Sequence, residues 1–216
     1  HRVKFVHHDL RSPLSAQTIA MIGKFDVILH LAASSHVDRS ISDPMSFVLD
    51  NVVGTANILD FARITGCEKF LYFSTDEVFG PSPIGVEGGF EEWDRYCSKN
   101  PYAATKAGAE ELCIAYHNTY GVPVIVTHCM NIMGERQHPE KFIPMTIRKI
   151  LNNERVTIHA DESLKVSGLR TYIHARNVAN AVDFILKNCG FPVGGKVNIV
   201  GEREVSNLDL ARMIAE

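Results

Sequence analysis

Short apolar runs alternate along this chain with segments of helical length. The clearest run is Phe70-Leu71-Tyr72-Phe73, and a later one covers residues 123–128. Runs of this kind, with little polar alternation, are typical of parallel strands that helices cover on both faces. Strands that alternate with helices predict right-handed crossover units. The sequence therefore predicts an α/β fold with a doubly wound parallel sheet, which is the Rossmann architecture.

The alternation also predicts where the elements lie. In the first part of the chain we expect strands at 3–6, 26–30, 69–74 and 123–128 and helices at 14–21, 44–64 and 102–119, and after an irregular stretch we expect a helix at 177–188. Beyond Asn131 the rhythm breaks, and we expect a helix at 142–151, short strands at 156–159, 171–173 and 197–200, and a last helix. These predict a Rossmann domain over 1–130 plus 175–190 and a smaller substrate-binding lobe over 131–174 plus 191–216, with a Gly/Pro-rich loop at 80–89.

The composition is that of a globular protein. The 216 residues are 45% hydrophobic, and 22 Lys and Arg against 25 Asp and Glu give a net charge of −3. Without an excess of positive charge we expect no nucleic-acid partner, and no apolar stretch reaches the roughly 20 residues that span a membrane. The cysteines lack metal-ligand spacing and stand at 67, 97, 113, 129 and 189. We therefore predict no disulfide, no metal and a cytoplasmic location.

Two motifs place ionisable side chains near the carboxyl end of the predicted strand 69–74. Asp76 and Glu77 follow this strand closely, and open α/β sheets bind their ligands at that edge. Tyr102 and Lys106 stand four residues apart, so on a helix they share one face and the ammonium can favour the phenolate. Alone, such a Tyr–Lys pair is typical of surface helices, and such a carboxyl pair is typical of turns. Together they suit a site that combines oxidation with elimination.

Several motifs in a fixed order resemble a known family. They are HLAASSHVDRS at 30–40, NVVGT at 51–55, STDEVFG at 74–80 with YAATK at 102–106, HPEKFIP at 138–144, and VNI at 197–199. This order is similar to the extended short-chain dehydrogenase/reductase superfamily, and within it to the nucleotide-sugar 4,6-dehydratases of the dTDP-glucose kind. Such folds open with a G-x-G-x-x-G phosphate loop, which this sequence lacks. The resemblance therefore implies a fragment whose first strands and glycine loop are missing.

The resemblance implies NAD as cofactor and a role for each residue of the two motifs. Tyr102, as phenolate, takes the proton of the C4 hydroxyl while Thr75 hydrogen-bonds the same oxygen, and Lys106 holds Tyr102 and the nicotinamide ribose. Glu77 is the implied base at C5, and Asp76 is the implied acid that protonates the departing C6 hydroxyl. Repulsion between adjacent carboxyls favours one charged and one neutral group.

Further contacts are implied by position in the motifs. Besides Tyr102 and Lys106, the implied cofactor contacts are Asp9, Leu10, Leu31, Ala32, Ala33, Ser34, Asp50 and Cys129, and Asn51 matches an asparagine near the site. Besides Thr75, the implied substrate contacts are Asn131, Glu140, Lys141, Arg170 and Asn198. Arg170 is preferred for the diphosphate because a guanidinium can bind two phosphate oxygens at once.

Departures from the family pattern leave the substrate open. Ser34 stands where the family usually has an acidic residue, and the run 128–133 replaces one richer in Asn. We expect dTDP-glucose first, with an N-acetylhexosamine or another sugar on UDP as a rival.

Other functions of the same superfamily are alternatives. A sugar-nucleotide 4-epimerase or decarboxylase needs the Tyr–Lys pair but not the two carboxyls, and a non-catalytic NAD-binding scaffold needs neither. For the enzymes, the resemblance implies a nucleotide-diphosphate sugar as the partner. The resemblance further implies a homodimer through the helices at 44–64 and 102–119.

Overall fold

The computed structural model describes residues 3–81, 89–163, 166–188 and 190–216, so most of the predicted 80–89 loop and Cys189 lie outside the described residues. The chain forms two compact units. The first consists of residues 1–128 and 188–198, and the second of residues 129–187 and 199–216. No helix in the described ranges has the length and apolar character needed to cross a bilayer.

Strands and helices alternate through most of the described chain. The strands are β1 (Val27–His30), β2 (Lys69–Thr75), β3 (Val124–Cys129), β4 (Asn131–Met133), β5 (Leu169–His174), β6 (Lys196–Ile199) and β7 (Glu204–Ser206). The α-helices are α1 (Ala16–Ile22), α2 (Val37–Ser42), α3 (Pro44–Phe47), α4 (Gly54–Thr65), α5 (Pro101–Tyr120), α6 (Phe142–Leu151), α7 (Ala175–Lys187) and α8 (Asn207–Ala215). A π-helical segment, Val48–Val53, joins α3 to α4, and a 3₁₀ turn, Asp76–Phe79, follows β2.

The first unit is built on a four-stranded sheet in the order β1-β2-β3-β6. β1 and β2 run parallel, with Val27 opposite Lys69 and His30 opposite Tyr72. Every residue of β3 is buried, as expected for a central strand covered on both faces. A buried apolar cluster joins α4 and α5 to β2 and β3, and it contains Leu59, Ala62, Phe70, Tyr72, Ala109, Cys113, Val122, Val124 and Val126. The predicted α/β class with a Rossmann-like sheet is confirmed.

Local sequence signals explain the bounds of the long helix α5. The side chain of Asn100 caps its first turn, because Oδ1 accepts a hydrogen bond from the backbone N of Ala103 at 2.8 Å. Pro101 occupies the first helical position, where its missing N–H costs nothing. Gly121 ends the helix with φ of 71°, a left-handed conformation that glycine adopts without strain.

The second unit contains a three-stranded sheet in the order β4-β5-β7. β4 and β5 run parallel, whereas β5 and β7 run antiparallel. α7 contacts β4 and β5, and α6 packs against α8. The predicted helix 142–151 matches α6, and the predicted strand 171–173 lies within β5.

Two predicted strands are wrong. Residues 3–6 form no strand, and Val3 and Phe5 are 83% and 85% exposed. Residues 156–159 form no strand either, and the only pairing nearby in the described chain is an isolated bridge between Ala160 and Ser167. In both places the apolar pattern suits a strand, but no described segment supplies a ladder of hydrogen bonds.

The observed units differ from the predicted domains in the placement of residues 129–130, 175–187 and 191–198. The helix predicted at 177–188 belongs to the second unit, because α7 packs on β4 and β5. The segment 191–198 belongs to the first unit, because β6 extends the sheet beside β3. The helix predicted at 44–64 is interrupted by the π-helical segment, where the Thr55 hydroxyl donates to the carbonyl of Asn51.

A buried ionic cluster lies beneath β6 in the first unit. The Glu110 carboxylate is fully buried and lies 2.9 Å from Nζ of Lys196 and 3.1 Å from Nε2 of His128. Burial alone would raise the pKa of Glu110, but hydrogen bonds from His128 and Lys196 outweigh burial and lower it. Lys196 also donates to the hydroxyl of Tyr96.

Asn198 connects this cluster to the segment that begins at residue 89. Its Oδ1 lies 2.9 Å from Nδ1 of His128, and its Nδ2 donates to the carbonyl of Phe90 at 2.9 Å. Phe79, the last residue of the 3₁₀ turn, packs against the rings of both His128 and Phe90, with centroids 4.7 and 5.2 Å away. The cluster therefore supports the turn that carries Asp76.

We expect Glu110→Gln to lower the free energy of unfolding by about 3–5 kcal/mol, because the Lys196 ammonium would stay buried without its counter-charge. Adding Lys196→Met should recover part of that loss. The matched control is Asp60→Asn, which breaks the exposed Asp60–Arg63 pair and should cost less than about 1 kcal/mol. Urea denaturation measures the free energy of unfolding of the two Glu110→Gln proteins and of the control. A loss for Glu110→Gln no larger than that of the control would contradict this prediction.

The buried ring of His30 predicts a pH dependence of stability. Burial, helped by the charge of Lys106, lowers its pKa from 6.5 to about 4. As the pH falls, the histidine of the unfolded chain is therefore protonated before that of the folded chain. The stability that the neutral His30 contributes is complete above pH 6.5 and is lost as the pH falls toward 4, by about 3 kcal/mol in total. Denaturation at several pH values gives the free energy of unfolding as a function of pH. Between pH 6.5 and 4 this free energy should fall less steeply for His30→Asn than for the wild type. Replacing the exposed His159 by Asn should leave the slope unchanged.

Candidate active site

The end of β2 presents the first group of candidate residues. Thr75 is the last residue of the strand, and Asp76 and Glu77 open the 3₁₀ turn. The Thr75 hydroxyl oxygen accepts from the backbone N of Glu77 at 3.4 Å and donates to Oδ1 of Asp76 at 3.3 Å. Thr75 is buried, whereas both carboxyl side chains are partly exposed. The strand therefore ends in a turn that presents two adjacent carboxyls.

Asn100 connects this turn to α5. Its Nδ2 donates to Oε2 of Glu77 at 2.9 Å, while its Oδ1 caps the helix. Sequence reasoning missed this residue. An asparagine directly before a proline at the start of a helix is a recognisable N-cap, but its contact with Glu77 joins residues 23 apart in sequence.

Tyr102 and Lys106 lie in the first two turns of α5. The Lys106 ammonium is buried, donates to the carbonyl of Phe73, and lies 4.2 Å from the centroid of the Tyr72 ring. The Tyr102 ring packs edge-on against Phe47, with centroids 6.4 Å apart. The structure thus brings α5 onto the end of β2, and the direct pairing of Tyr102 with Lys106 stays a prediction.

Asn51, in the π-helical segment, ties the turn after β1 to α5. Its Oδ1 accepts from the backbone N of Ser34 at 2.8 Å, and its Nδ2 donates to the Ser34 carbonyl and to the Thr105 hydroxyl, each at 3.0 Å. Thr105 in turn donates to the carbonyl of Tyr102 at 2.8 Å. The predicted place of Asn51 near the site is consistent with this chain of bonds.

Asp50, the neighbour of Asn51, holds the same turn from its other side. Its carboxylate accepts from the Ser34 hydroxyl and from Nε of Arg11, each at 2.6 Å. Partial burial opposes ionisation, but these two hydrogen bonds prevail and lower the pKa of Asp50. Asp9 accepts from the backbone N of Arg11 at 3.0 Å, and the Leu10 carbonyl accepts from Asn57 at 2.7 Å. Sequence reasoning did not identify Arg11.

Two features of the first unit fit the dinucleotide that the resemblance implies. Leu31, Ala32 and Ala33 follow β1 as an exposed turn, in which the two alanines leave the backbone open to a ligand. The buried hydroxyl of Ser74 has no hydrogen-bond partner in the described part of the chain, and a buried polar atom without a partner can be satisfied by a bound group.

The second unit holds most of the predicted substrate contacts. Cys129, a predicted cofactor contact, is buried at the end of β3, and the predicted substrate contact Asn131 in β4 donates to the Thr171 carbonyl at 3.2 Å. Lys141 precedes α6 and is partly exposed, whereas Glu140 and Arg170 are exposed. Asn198 belongs instead to the first unit, where His128 of the buried cluster binds one end of its amide and the carbonyl of Phe90 binds the other.

Comparison with known proteins gives a consistent result. Residues 1–200 match the model of the NAD dependent epimerase/dehydratase family. The chain is 37% identical over 199 residues to a dTDP-D-glucose 4,6-dehydratase of Dictyostelium discoideum, covering 88% of this chain and 44% of that protein. It is 36% identical over 214 residues to a trifunctional UDP-glucose 4,6-dehydratase of Arabidopsis thaliana, covering 99% of this chain and 31% of that protein.

A solved structure extends the likeness to the fold. The structure of DesIV, a dTDP-glucose 4,6-dehydratase from Streptomyces venezuelae with NAD and TYD bound, superimposes with a TM-score of 0.87 at 34% identity. It covers 99% of this chain and 63% of that one, so the chain spans about a third to two thirds of these relatives. The chain belongs to the NAD dependent epimerase/dehydratase family.

Proposed function

We propose that this chain carries the catalytic residues of an NAD-dependent nucleotide-sugar 4,6-dehydratase, which converts a dTDP-glucose-like substrate into its 4-keto-6-deoxy sugar. The observation that carries the proposal is the turn at the end of β2, where Asp76 and Glu77 stand together and Asn100 binds Glu77 to the start of α5. An acid, a base and the Tyr102 phenol are the groups that oxidation followed by elimination requires.

NAD is the proposed cofactor. When bound, it would supply the hydride acceptor for oxidation at C4 of the sugar and the hydride donor for reduction at C6. The exposed turn Leu31–Ala33, together with Ser34, Asp50, Asp9 and Leu10 in the first unit, is proposed to hold the dinucleotide, and Cys129 is a further proposed contact. The partnerless Ser74 hydroxyl supports this assignment.

Tyr102 is the proposed base for oxidation at C4. As phenolate it removes the proton of the C4 hydroxyl, and Thr75 hydrogen-bonds the same oxygen. The buried Lys106 contributes a positive charge close to the start of α5, and such a charge favours the phenolate. Because Lys106 also binds the carbonyl of Phe73, its ammonium has a fixed position relative to β2.

Asp76 and Glu77 are the proposed acid and base for elimination. The C4 ketone acidifies the C5 hydrogen, Glu77 removes that proton, and Asp76 protonates the C6 hydroxyl as it leaves as water. After the C5=C6 bond is reduced at C6, Glu77 returns the proton to C5. Asp76 must therefore begin protonated and Glu77 charged, a difference that adjacent carboxyls favour.

The nucleotide-sugar is the proposed partner, and four residues of the second unit are proposed to bind it. They are Asn131, Glu140, Lys141 and Arg170, with Arg170 on the diphosphate because it is exposed and can form a bidentate contact. Relatives named for dTDP-glucose and for UDP-glucose are almost equally similar, which supports a nucleotide-sugar substrate and leaves its base as the point to test. A UDP-N-acetylhexosamine is the remaining rival.

A 4-epimerase or decarboxylase is the alternative reaction, and a non-catalytic scaffold is the alternative function. The Asp76–Glu77 pair favours the dehydratase, because an epimerase needs no acid and base beside the threonine. The hydrogen bond from Asn100 to Glu77 supports the same choice, since it orders a carboxylate that epimerisation would not use.

We expect Glu77→Gln and Asp76→Asn each to reduce dehydration by about 10²–10⁴-fold, the usual contribution of a general acid or base. The complete gene product is incubated with dTDP-glucose, UDP-glucose or UDP-N-acetylglucosamine, and the 4-keto-6-deoxy product is measured. Glu111→Gln changes an exposed carboxyl on α5 and should retain wild-type activity. A C4 epimer in place of the dehydrated product would favour the epimerase instead.

We also propose a homodimer that uses the helices at 44–64 and 102–119. Exposed apolar side chains support it, namely Met45, Leu49 and Ile64 within 44–64 and Tyr120 at the end of α5. The thiols of Cys67, Cys97 and Cys113 are unpaired, which supports a cytoplasmic location.

Sedimentation analysis tests the homodimer. We expect twice the chain mass, and we expect Ile64→Asp to weaken association because it would bury a charge at the interface. The control is Leu151→Asp, which adds the same charge to an exposed leucine of the second unit and should leave the dimer intact. A monomer mass at every concentration would contradict the proposal.

A further inference from the structure

The side-chain amide of Asn100 has only one possible orientation. One end faces the backbone N of Ala103 at 2.8 Å, and the other lies 2.9 Å from Oε2 of Glu77. A backbone N–H can only donate, so the amide oxygen must face Ala103 and the amide nitrogen must face the carboxylate. A single side chain therefore caps α5 and holds Glu77.

Glu77 is held at one of its two carboxyl oxygens. Oε2 accepts from Asn100, and the backbone N of Glu77 donates to the Thr75 hydroxyl at 3.4 Å. Within the described residues, Oε1 has no hydrogen-bond partner. An ionised carboxylate that is bound in this way keeps its second oxygen for a proton.

We propose that Asn100 is a positioning residue, which fixes Glu77 so that Oε1 removes the C5 proton. This inference rests on the proposed dehydratase function. The C5–H bond breaks and its proton passes to Oε1, while its electron pair forms the C5=C6 bond. The C6–O bond breaks, and the leaving hydroxyl takes the proton of Asp76 to become water.

The position of Asn100 also links the two proposed bases. It stands two residues before Tyr102 and caps the turn on which Tyr102 lies. Glu77 and Tyr102 are therefore attached to the same helix start, and the distance between the base for oxidation and the base for elimination is fixed. A misplacement of about 1 Å at a reacting group can cost about 100-fold in rate.

Asn100→Ser separates positioning from capping. Serine is as good an N-cap as asparagine but lacks the amide donor that reaches Glu77. We expect the unfolding midpoint to stay near that of the wild type and elimination to slow by about 10- to 100-fold. C4 oxidation should persist, so reduced cofactor should accumulate at 340 nm during a single turnover. Asn118→Ser, an exposed position on the same helix, should change neither reaction.

Asn100→Asp tests the chemistry of the contact. Aspartate also caps a helix, but it replaces the donor with a carboxylate beside Oε2. We expect the acidic limb of the pH–rate profile for elimination to move to higher pH, because the two carboxyls would share a proton. Loss of a merely structural contact would not move this limb.

The outcomes distinguish the two proposals. If the wild type does not dehydrate any nucleotide-sugar, the proposed function fails and this inference fails with it. If the wild type dehydrates but Asn100→Ser eliminates at the wild-type rate, only the inference is overturned. Equal loss of oxidation and elimination with a lower unfolding midpoint would also overturn it, because Asn100 would then act only as a cap.

Discussion

The packing of α5 on the end of β2 is the interaction on which the candidate site depends. The Lys106 ammonium is buried at this crossing, where it binds the Phe73 carbonyl and lies over the Tyr72 ring. A buried ammonium is tolerated only where such partners are present, so the register of the helix along the strand is fixed at this point. Tyr102 lies on α5 and Glu77 lies on the turn after β2, so their relative position follows from this packing.

Much of the first unit could be predicted from the sequence, because its elements have strong local signals. The buried runs of β2 and β3 are apolar, and α5 begins at Pro101 and ends before Gly121. The segments 3–6 and 156–159 have apolar residues as well, yet a strand also needs a neighbour to pair with. That requirement depends on residues far away in sequence, so the local pattern alone gave the wrong answer in both places.

The candidate site shows the same limit at the level of side chains. Thr75, Glu77 and Tyr102 could be chosen as candidates because motifs fix their order along the chain. Asn100 could be predicted as a helix cap, but its bond to Glu77 arises only when α5 meets β2. Asn198 matched a motif and is predicted at the substrate, and its amide binds His128 and the carbonyl of Phe90, two contacts that the motif did not indicate.

The side-chain amide of Asn51 forms the pair of hydrogen bonds with Ser34 that the backbone of a neighbouring strand would form. It accepts from the N–H of Ser34 and donates to the carbonyl of the same residue, which is the pair of bonds that an adjacent peptide would make. The path of the chain after β1 is therefore set by a side chain on a helix, and the identity of the residues at 31–33 is not needed to hold it. Residues 31–33 can therefore be small, and they can change to suit a ligand while the fold is retained.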